Sequence, residues 1–579
     1  MCTENANNNT TDNKYVLAMY DIRAKQEFIY RSTHMKEIVG ASWLIRDCYA
    51  DFLRPAAEEV GNEEGKKGIY GLRKPEEKES PEQDSFKKEG FQAHLKEYIG
   101  EVVYDGGGNF FVMYQDVDTY RKVNKIFYRK VLEGTGTMRV LSSYIEGVHF
   151  EDYNGDRDEL YRRHRAREQE ESILHPVNTL PFVQVDYQSS QPLVAKYQQS
   201  YENEPKKVSL EALKKLEKYK KVKDSSKWDK EIEGAKVLDE LIYKKGEDSH
   251  LAVIYIDGNG MGNQVEHCTN GKKSYEECIE ALRKFSKEIQ THYIDERIKE
   301  INDKLEGKEK RRFVVYAGDE ITFVCQAKEA YKIAKMYLKN LAGELDENQN
   351  AQEEKLSKES KQDTQEPFRT SCAGIALFHS HAPYAEAYRI AEECCESGKK
   401  WMKQRNIHNA SLLDFHYCQG AIGVSLEQIR EKEETKENSR PWVIVKGDDL
   451  KDSTYVFQYK DDGNQLFCAT SDGVEAMAKE FEKIGRSNLK GLAFSAKEGG
   501  AEFKKEVKRI KAHQDLKNAT EKDAEKIDLS LGGKLSDNEQ GKLIYDMMTV
   551  YDHWSESFKS KRENEETTGD NVNEEETNE

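Results

Sequence analysis

Two short segments place carboxylates where apolar runs meet glycine, and their key aspartates stand 62 positions apart. The first is Leu251-Ala-Val-Ile-Tyr-Ile-Asp257-Gly-Asn-Gly-Met-Gly262. The second is Arg312-Phe-Val-Val-Tyr-Ala-Gly-Asp319-Glu320-Ile-Thr-Phe-Val-Cys325. Residues 251–256 are continuously apolar and rich in β-branched and aromatic members, which predicts a buried central strand. Glycines 258, 260 and 262 remove side chains where the chain turns. Backbone amides around Gly258, Asn259, Gly260 and Gly262 then approach a phosphate ahead of a helix expected from about Gln264. Residues 312–316 and 321–325 predict a β-hairpin with Asp319 and Glu320 at its tip. Side by side, the two strands bring Asp257 to Asp319, with Glu320 as a third candidate ligand. Magnesium or manganese takes hard oxygen ligands, few of them from protein. Two metals so held activate a ribose hydroxyl and stabilise a leaving pyrophosphate. An Asp-Glu pair in a turn is also an ordinary turn element. The combination with a glycine-spaced Asp257 is what points to chemistry.

The hairpin resembles the GGDD or GGDEF signature of palm-type nucleotidyl cyclases and polymerases. More closely, the chain resembles the large, palm-containing subunit of type III CRISPR effector complexes. Residues 371–384 run Ser-Cys-Ala-Gly-Ile-Ala-Leu-Phe-His379-Ser-His381-Ala-Pro383-Tyr384, and Ala391, Glu392, Gly398 and Lys399 follow. This is similar to that family's strand, His, Pro-Tyr and lysine-bearing helix. Lys25-Gln26, Phe28-Ile29, Lys36-Glu37-Ile38, Gly40 and Ser42 resemble its first palm, as does Asp105-Gly106-Gly107-Gly108-Asn109-Phe110. Arg440-Pro441-Trp442 and Gly485-Arg486-Ser487-Asn488-Leu489-Lys490 are similar to its C-terminal helical region. The resemblance spans residues 15–515, and its specificity lies in the order of the motifs.

The resemblance implies an α+β fold with two ferredoxin-like palm domains, a helical linker and a C-terminal helical domain. It implies that ATP is joined by 3′-hydroxyl attack on an α-phosphate and closed into a cyclic oligonucleotide messenger of prokaryotic antiviral defence. Asp257, Asp319 and Glu320 would be the catalytic and metal residues, and Lys399 would meet the triphosphate. Ser42, Gly107 and Gly108 would contribute nucleotide contacts from the first palm. Three glycines are equally a plain tight turn, and a lysine at a helix end is equally a solvated one. Guide-RNA effector subunits and a homodimer are the partner expectations besides ATP. Three alternatives stay open: a cyclase making a cyclic mono- or dinucleotide, a non-catalytic scaffold of an RNA-guided complex, and a template-directed polymerase.

The domains are expected at 15–150 (first palm), 151–245 (helical linker), 246–418 (second palm) and 419–560 (helical), between a disordered lead at 1–14 and an acidic tail at 561–579. Laid over the second hairpin without gaps, Val102–Val112 has Gly107-Gly108 where the second has Asp319-Glu320. Asp21 would correspond to Asp257, so the first palm lacks a metal pair.

Composition bounds these readings. The chain has 579 residues, enough for several cores, with 34% charged and 10% aromatic residues. Ten cysteines without a Cys-x-x-Cys pair, and a polar Asn/Thr-rich start, suggest free thiols in a reducing cytoplasm. No cysteine falls in 181–197, so no structural zinc is expected there. His379 and His381 share a strand side without a third ligand nearby in sequence, which favours packing or ligand contact over zinc. With 108 acidic against 90 basic residues and a net charge of −18, extended nucleic-acid binding receives no support. There is no His-Asp dipeptide for an HD nuclease and no Walker-type P-loop. No apolar stretch reaches the roughly 18–20 residues that span a bilayer.

Overall fold

The computed structural model describes residues 14–32, 34–75, 77, 86–106, 109–170, 182–186, 189–198, 205–224, 241, 249–305, 310–343, 369–418, 423–433, 439–447, 450, 456–461, 464–498, 500–518 and 526–558. The expected lead and acidic tail lie outside them, apart from Lys14. The chain divides into two compact units. One comprises Met1–Glu233, Gly260–Asp295 and Val314–Asp319. The other comprises Gly234–Asn259, Glu296–Phe313 and Glu320–Glu579.

The first unit holds a sheet of β1 (Val16–Arg23), β2 (Lys67–Tyr70), β3 (Tyr98–Gly106), β4 (Asn109–Tyr114) and β5 (Arg139–Glu146), in the order β2-β3-β4-β1-β5. Alternation drives it: Leu17, Met19, Phe111 and Met113 point to one face and are buried. Tyr275, Cys278, Ile279 and Leu282 of the helix Tyr275–Ile289 pack on them, spaced as one helical stripe. Gly40 lets the helix Met35–Arg46 touch the helix Leu210–Lys223, since a Cβ there would stand 1.9 Å from the Lys215 carbonyl oxygen. The stretch expected to be a helical linker has two helices, Tyr153–Glu170 and Leu210–Lys223. It also has a two-stranded ribbon of β6 (Leu193–Tyr197) and β7 (Lys206–Ser209).

A second sheet contains β8 (His250–Gly258), β9 (Arg311–Ala317), β10 (Glu320–Gln326), β11 (Ser371–His379), β12 (Ser411–Tyr417) and β13 (Trp442–Val445), in the order β13-β12-β11-β8-β10-β9. Its core order β9-β10-β8-β11 repeats β3-β4-β1-β5 of the first sheet, so the internal duplication suggested by the hairpins is present in topology. β11 and β12 run parallel and are joined by the helix Tyr384–Gln404. Tyr384, Tyr388, Ala391, Cys395, Gly398 and Met402 form its buried stripe, as their spacing predicts.

That helix lies on bare backbone. A Cβ on Gly374 of β11 would sit 1.8 Å from the Ala391 carbonyl oxygen and 2.5 Å from the Cys395 nitrogen. Gly374→Ala must therefore push the helix off the sheet. It is expected to destabilise by about 1–3 kcal/mol, read as a lower urea midpoint with an unchanged slope. A midpoint equal to wild type would show that the helix is not pinned.

The C-terminal stretch is not purely helical. Its apolar patch at 441–445 is largely β13, which closes the sheet edge on β12, and β14 (Val456–Asp461) and β15 (Asn464–Ala469) form a hairpin. The helix Asp537–Trp554 starts with a Ser536/Glu539 capping box, and its Trp554 indole donates to the Ala327 carbonyl at 2.9 Å. Among the described residues no helix is long and apolar enough to cross a membrane.

Candidate functional site

Asp257 sits one residue from the end of β8, where the buried run gives way to the glycine-rich turn. β10 pairs antiparallel with β8, with Ile321 opposite Ile256 and Thr322 opposite Tyr255. One more step of that register sets Glu320 across from Asp257. Alternation puts Tyr255 and Asp257 on one face of β8. That face carries the helix Tyr384–Gln404, whose Tyr388 ring meets Tyr255 edge-on at 5.7 Å. Lys399 of the same helix donates from Nζ to Asp257 Oδ2 at 2.5 Å, and each side chain is 23% exposed. Glu320 accepts from the Thr322 hydroxyl at 3.5 Å.

The electrostatics follow from this crowding. Burial alone would lower the Lys399 ammonium, but the Asp257 carboxylate more than offsets it and holds Lys399 above the ordinary lysine range. Tyr255 is pushed up by burial and then by Glu320, Asp257, Cys395 and Glu392. Tyr388 is pushed up by burial, Glu320, Tyr255 and Glu392. Glu392 itself is raised to about 7 by burial and by Glu396, Glu393 and Asp257. Glu320 and Glu392 thus act on both tyrosines and Asp257 on Tyr255, with Lys399 as the cation on Asp257. Glu392 stands beside these groups, although the sequence reading names it only within the family-like motif and not among the candidate site residues. Its signal was available: it lies seven positions, two helical turns, before Lys399 on the same stripe.

The remaining candidates separate. Gly258 is buried at the end of β8. Asn259 is a strut rather than a phosphate ligand. Its backbone N–H donates to the Thr370 carbonyl at 3.0 Å, and its side-chain amide donates to Thr370 Oγ1 at 3.2 Å and the Ala410 carbonyl at 3.1 Å. Gly260 has φ +66°, a left-handed conformation suited to glycine, and caps a helix that starts at Met261, three residues earlier than the sequence suggests. Gly262 lies in the first turn of that helix with open space around it. Gly260, Gly262 and Asp319 are counted with the first unit, and Asp319 immediately precedes Glu320 in the chain. Gly318 before it takes φ +65° in the hairpin turn. Ser42, also in the first unit, donates its hydroxyl to the Val314 carbonyl at 3.1 Å. Gly107 and Gly108 lie outside the described residues.

The strand ends shift the gapless hairpin correspondence by one residue. β4 begins at Asn109 opposite Asp21, and β10 begins at Glu320, which the register extended by one step sets opposite Asp257. Glu320 thus matches Asn109, and Asp319 matches Gly108. At the first position Asp21 meets Arg23 at 3.1 Å, Lys25 at 3.7 Å and His164 at 3.9 Å. Burial raises its carboxyl, but these partners, His164 foremost, bring it below the ordinary range. His379 is exposed and accepts from the His381 backbone N–H at 3.3 Å. Among the described residues no three His, Cys, Asp or Glu side chains are grouped to cage a metal ion. An open site of two facing carboxylates, the rest supplied by phosphate and water, fits magnesium or manganese on donor chemistry.

Residues 250–408 match the family model described as Cas10/Cmr2, second palm domain. The resemblance to the palm-containing CRISPR subunit is borne out over that segment. No curated protein matches the chain. Among solved structures, the chain is similar to one in the Csm1-Csm4 cassette in complex with AMPPNP, at 12% identity and TM-score 0.39, covering 70% of this chain and 54% of that one. The cassette in complex with cA3 gives 13% identity and TM-score 0.39, covering 71% and 56%. Csm1 in T.onnurineus gives 14% identity and TM-score 0.37, covering 69% and 52%. The chain spans about half the length of the solved chains it matches.

Proposed function

We propose that the Asp257 edge of the second sheet is a metal-dependent nucleotidyl-transfer site that joins ATP into a cyclic oligonucleotide, in cytoplasmic antiviral defence of the CRISPR type. The observation that carries this reading is the register of β8 and β10. Extended by one step, that register brings Asp257 and Glu320 opposite each other, inside the segment that matches the second-palm family model. Magnesium or manganese, when bound, would supply Lewis-acid activation of the ribose hydroxyl and charge stabilisation at the phosphates. Asp257 and Glu320 would hold it, and Asp319 is kept as a ligand on chain adjacency alone. Lys399 would offset phosphate charge, and the Gly258–Gly260 turn would leave room for the triphosphate. The first sheet, with Asp21 held by three basic side chains and no carboxylate opposite, would bind rather than catalyse. Effector subunits carrying a guide RNA are the proposed partners. The proposed domain limits are those expected from the sequence.

A second reading, a non-catalytic scaffold, is favoured by one observation: Lys399 already engages Asp257. Incubation of the purified chain with each NTP and with all four, plus magnesium or manganese, tests the choice by product mass. A cyclic adenylate that Asp319→Ala reduces by at least about tenfold is expected. Full product from Asp319→Ala would remove Asp319 from the site. No product from wild type under any condition would favour the scaffold.

A further inference from the structure

The nucleotidyl-transfer reading leaves one step without an owner, the removal of the proton from the attacking ribose hydroxyl. Five glutamates lie on the helix or its flank near the site, and most are committed. Glu386 binds Arg389 and accepts from the Gly423 N–H. Glu393 binds Arg389 and accepts from the Leu426 N–H. Glu396 is exposed. Glu320 accepts from the Thr322 hydroxyl two residues along its own strand. Glu392 is half-buried and makes no hydrogen bond or ion pair among the described residues. It shares a stripe with Lys399, two helical turns or about 10 Å along the helix axis. Its charge reaches Tyr255 and Tyr388, which both feel Glu320, and Tyr255 feels Asp257 as well.

We infer that Glu392 is the proton acceptor for the 3′-hydroxyl of the attacking nucleotide, a role that rests on the nucleotidyl-transfer reading. The O3′–H proton passes to a Glu392 carboxylate oxygen as O3′ forms its bond to the α-phosphorus. The bond from that phosphorus to the bridging oxygen breaks, and its electron pair leaves with pyrophosphate. Glu392 then returns the proton to water. A base serves best when its acid strength lies near working pH, and Glu392 titrates at about 7. The groups that set this are Glu393 and Glu396 on its own helix and Asp257 on β8. Glu320 on β10 acts on the same two hydroxyls, those of Tyr255 and Tyr388.

The test compares wild type, Glu392→Gln and Glu392→Asp, following ATP turnover by product mass from pH 5.5 to 9, with ATP affinity and thermal midpoint beside it. Wild-type turnover should rise through about pH 7 and level off. Glu392→Gln should lose on the order of 100- to 1000-fold in kcat, with KM for ATP within about threefold and the rise near 7 gone. Glu392→Asp should keep the rise at reduced kcat. The folded state binds the Glu392 proton more tightly than the unfolded chain does, so this residue costs stability as pH climbs from about 4.5 to 7. Glu392→Gln should therefore melt no lower than wild type at pH 8. Unchanged kcat, or joint loss of kcat, affinity and thermal midpoint, overturns the assignment while leaving nucleotidyl transfer in place. A wild type inert with every NTP and both metals overturns the parent reading and this one together.

Discussion

Asp257→Asn should abolish nucleotide joining, by at least about 1000-fold or roughly 4 kcal/mol of transition-state stabilisation. The substitution is nearly isosteric, so β8 and its pairing with β11 at Cys372 are retained. What it removes is charge. A neutral amide is a poor magnesium ligand, and it also leaves the Lys399 ammonium without its carboxylate. Lys399 then feels mainly burial, which lowers it, so its contribution to phosphate binding weakens as well. Stability should change little, since each partner is 23% exposed and such pairs are worth about 0–1 kcal/mol. Initial rates with magnesium and manganese, beside urea midpoints, separate these effects. Product at the wild-type rate would mean that the chemistry lies elsewhere on the chain.

Asp546→Ala should have the largest effect on stability, about 3–5 kcal/mol. Asp546 is fully buried and accepts from the Ser439 N–H at 2.6 Å and the Ser439 hydroxyl at 2.7 Å, and it pairs with Arg440 Nε at 3.0 Å. The Arg440 side chain is 1% exposed, and it also donates to the Phe415 carbonyl at 2.7 Å. Removing one partner strands the other charge in a dry interior, whereas an isolated surface pair would hardly register. Urea unfolding followed by tryptophan fluorescence reports it directly, since Trp442 and Trp554 lie in the same core. A midpoint within error of wild type would mean that the clasp contributes nothing net. Asp546→Asn, which keeps the acceptor oxygen for Ser439, should fall between the two.

Local signals in the chain were enough for the elements that hold the site. The apolar run 251–256, the two arms around Asp319 and the four-and-three spacing from Tyr384 to Met402 each became the expected strand, hairpin and helix stripe. What the sequence hid was tertiary. Asn259 reads as a polar residue in a phosphate-binding glycine run. Its partners, Thr370 and Ala410, lie 111 and 151 residues away, and they turn it inward. Glu392 reads as part of a family-like helix motif, without a role of its own. Only the fold sets its stripe over β8, so its acidity and its neighbours are long-range properties. The helix after Asp257 starts at Met261 because Gly260 can take a left-handed cap, which composition alone penalises. The strand β13 is four residues long, too short for alternation to announce it within a stretch of helical periodicity.

The close approach at Gly374 fixes more than packing. With the Ala391 carbonyl seated on bare backbone, the helix Tyr384–Gln404 has no freedom to roll or slide along β11. Glu392 and Lys399 are then two marks on a fixed ruler, while at the hairpin turn a Cβ on Gly318 would meet nothing within 4 Å. Variation that adapts this pocket to a different base or a longer product should accumulate in the turn and be rejected on the ruler. A library randomised at both places would sort in that order, with tolerance on the turn and intolerance along the stripe.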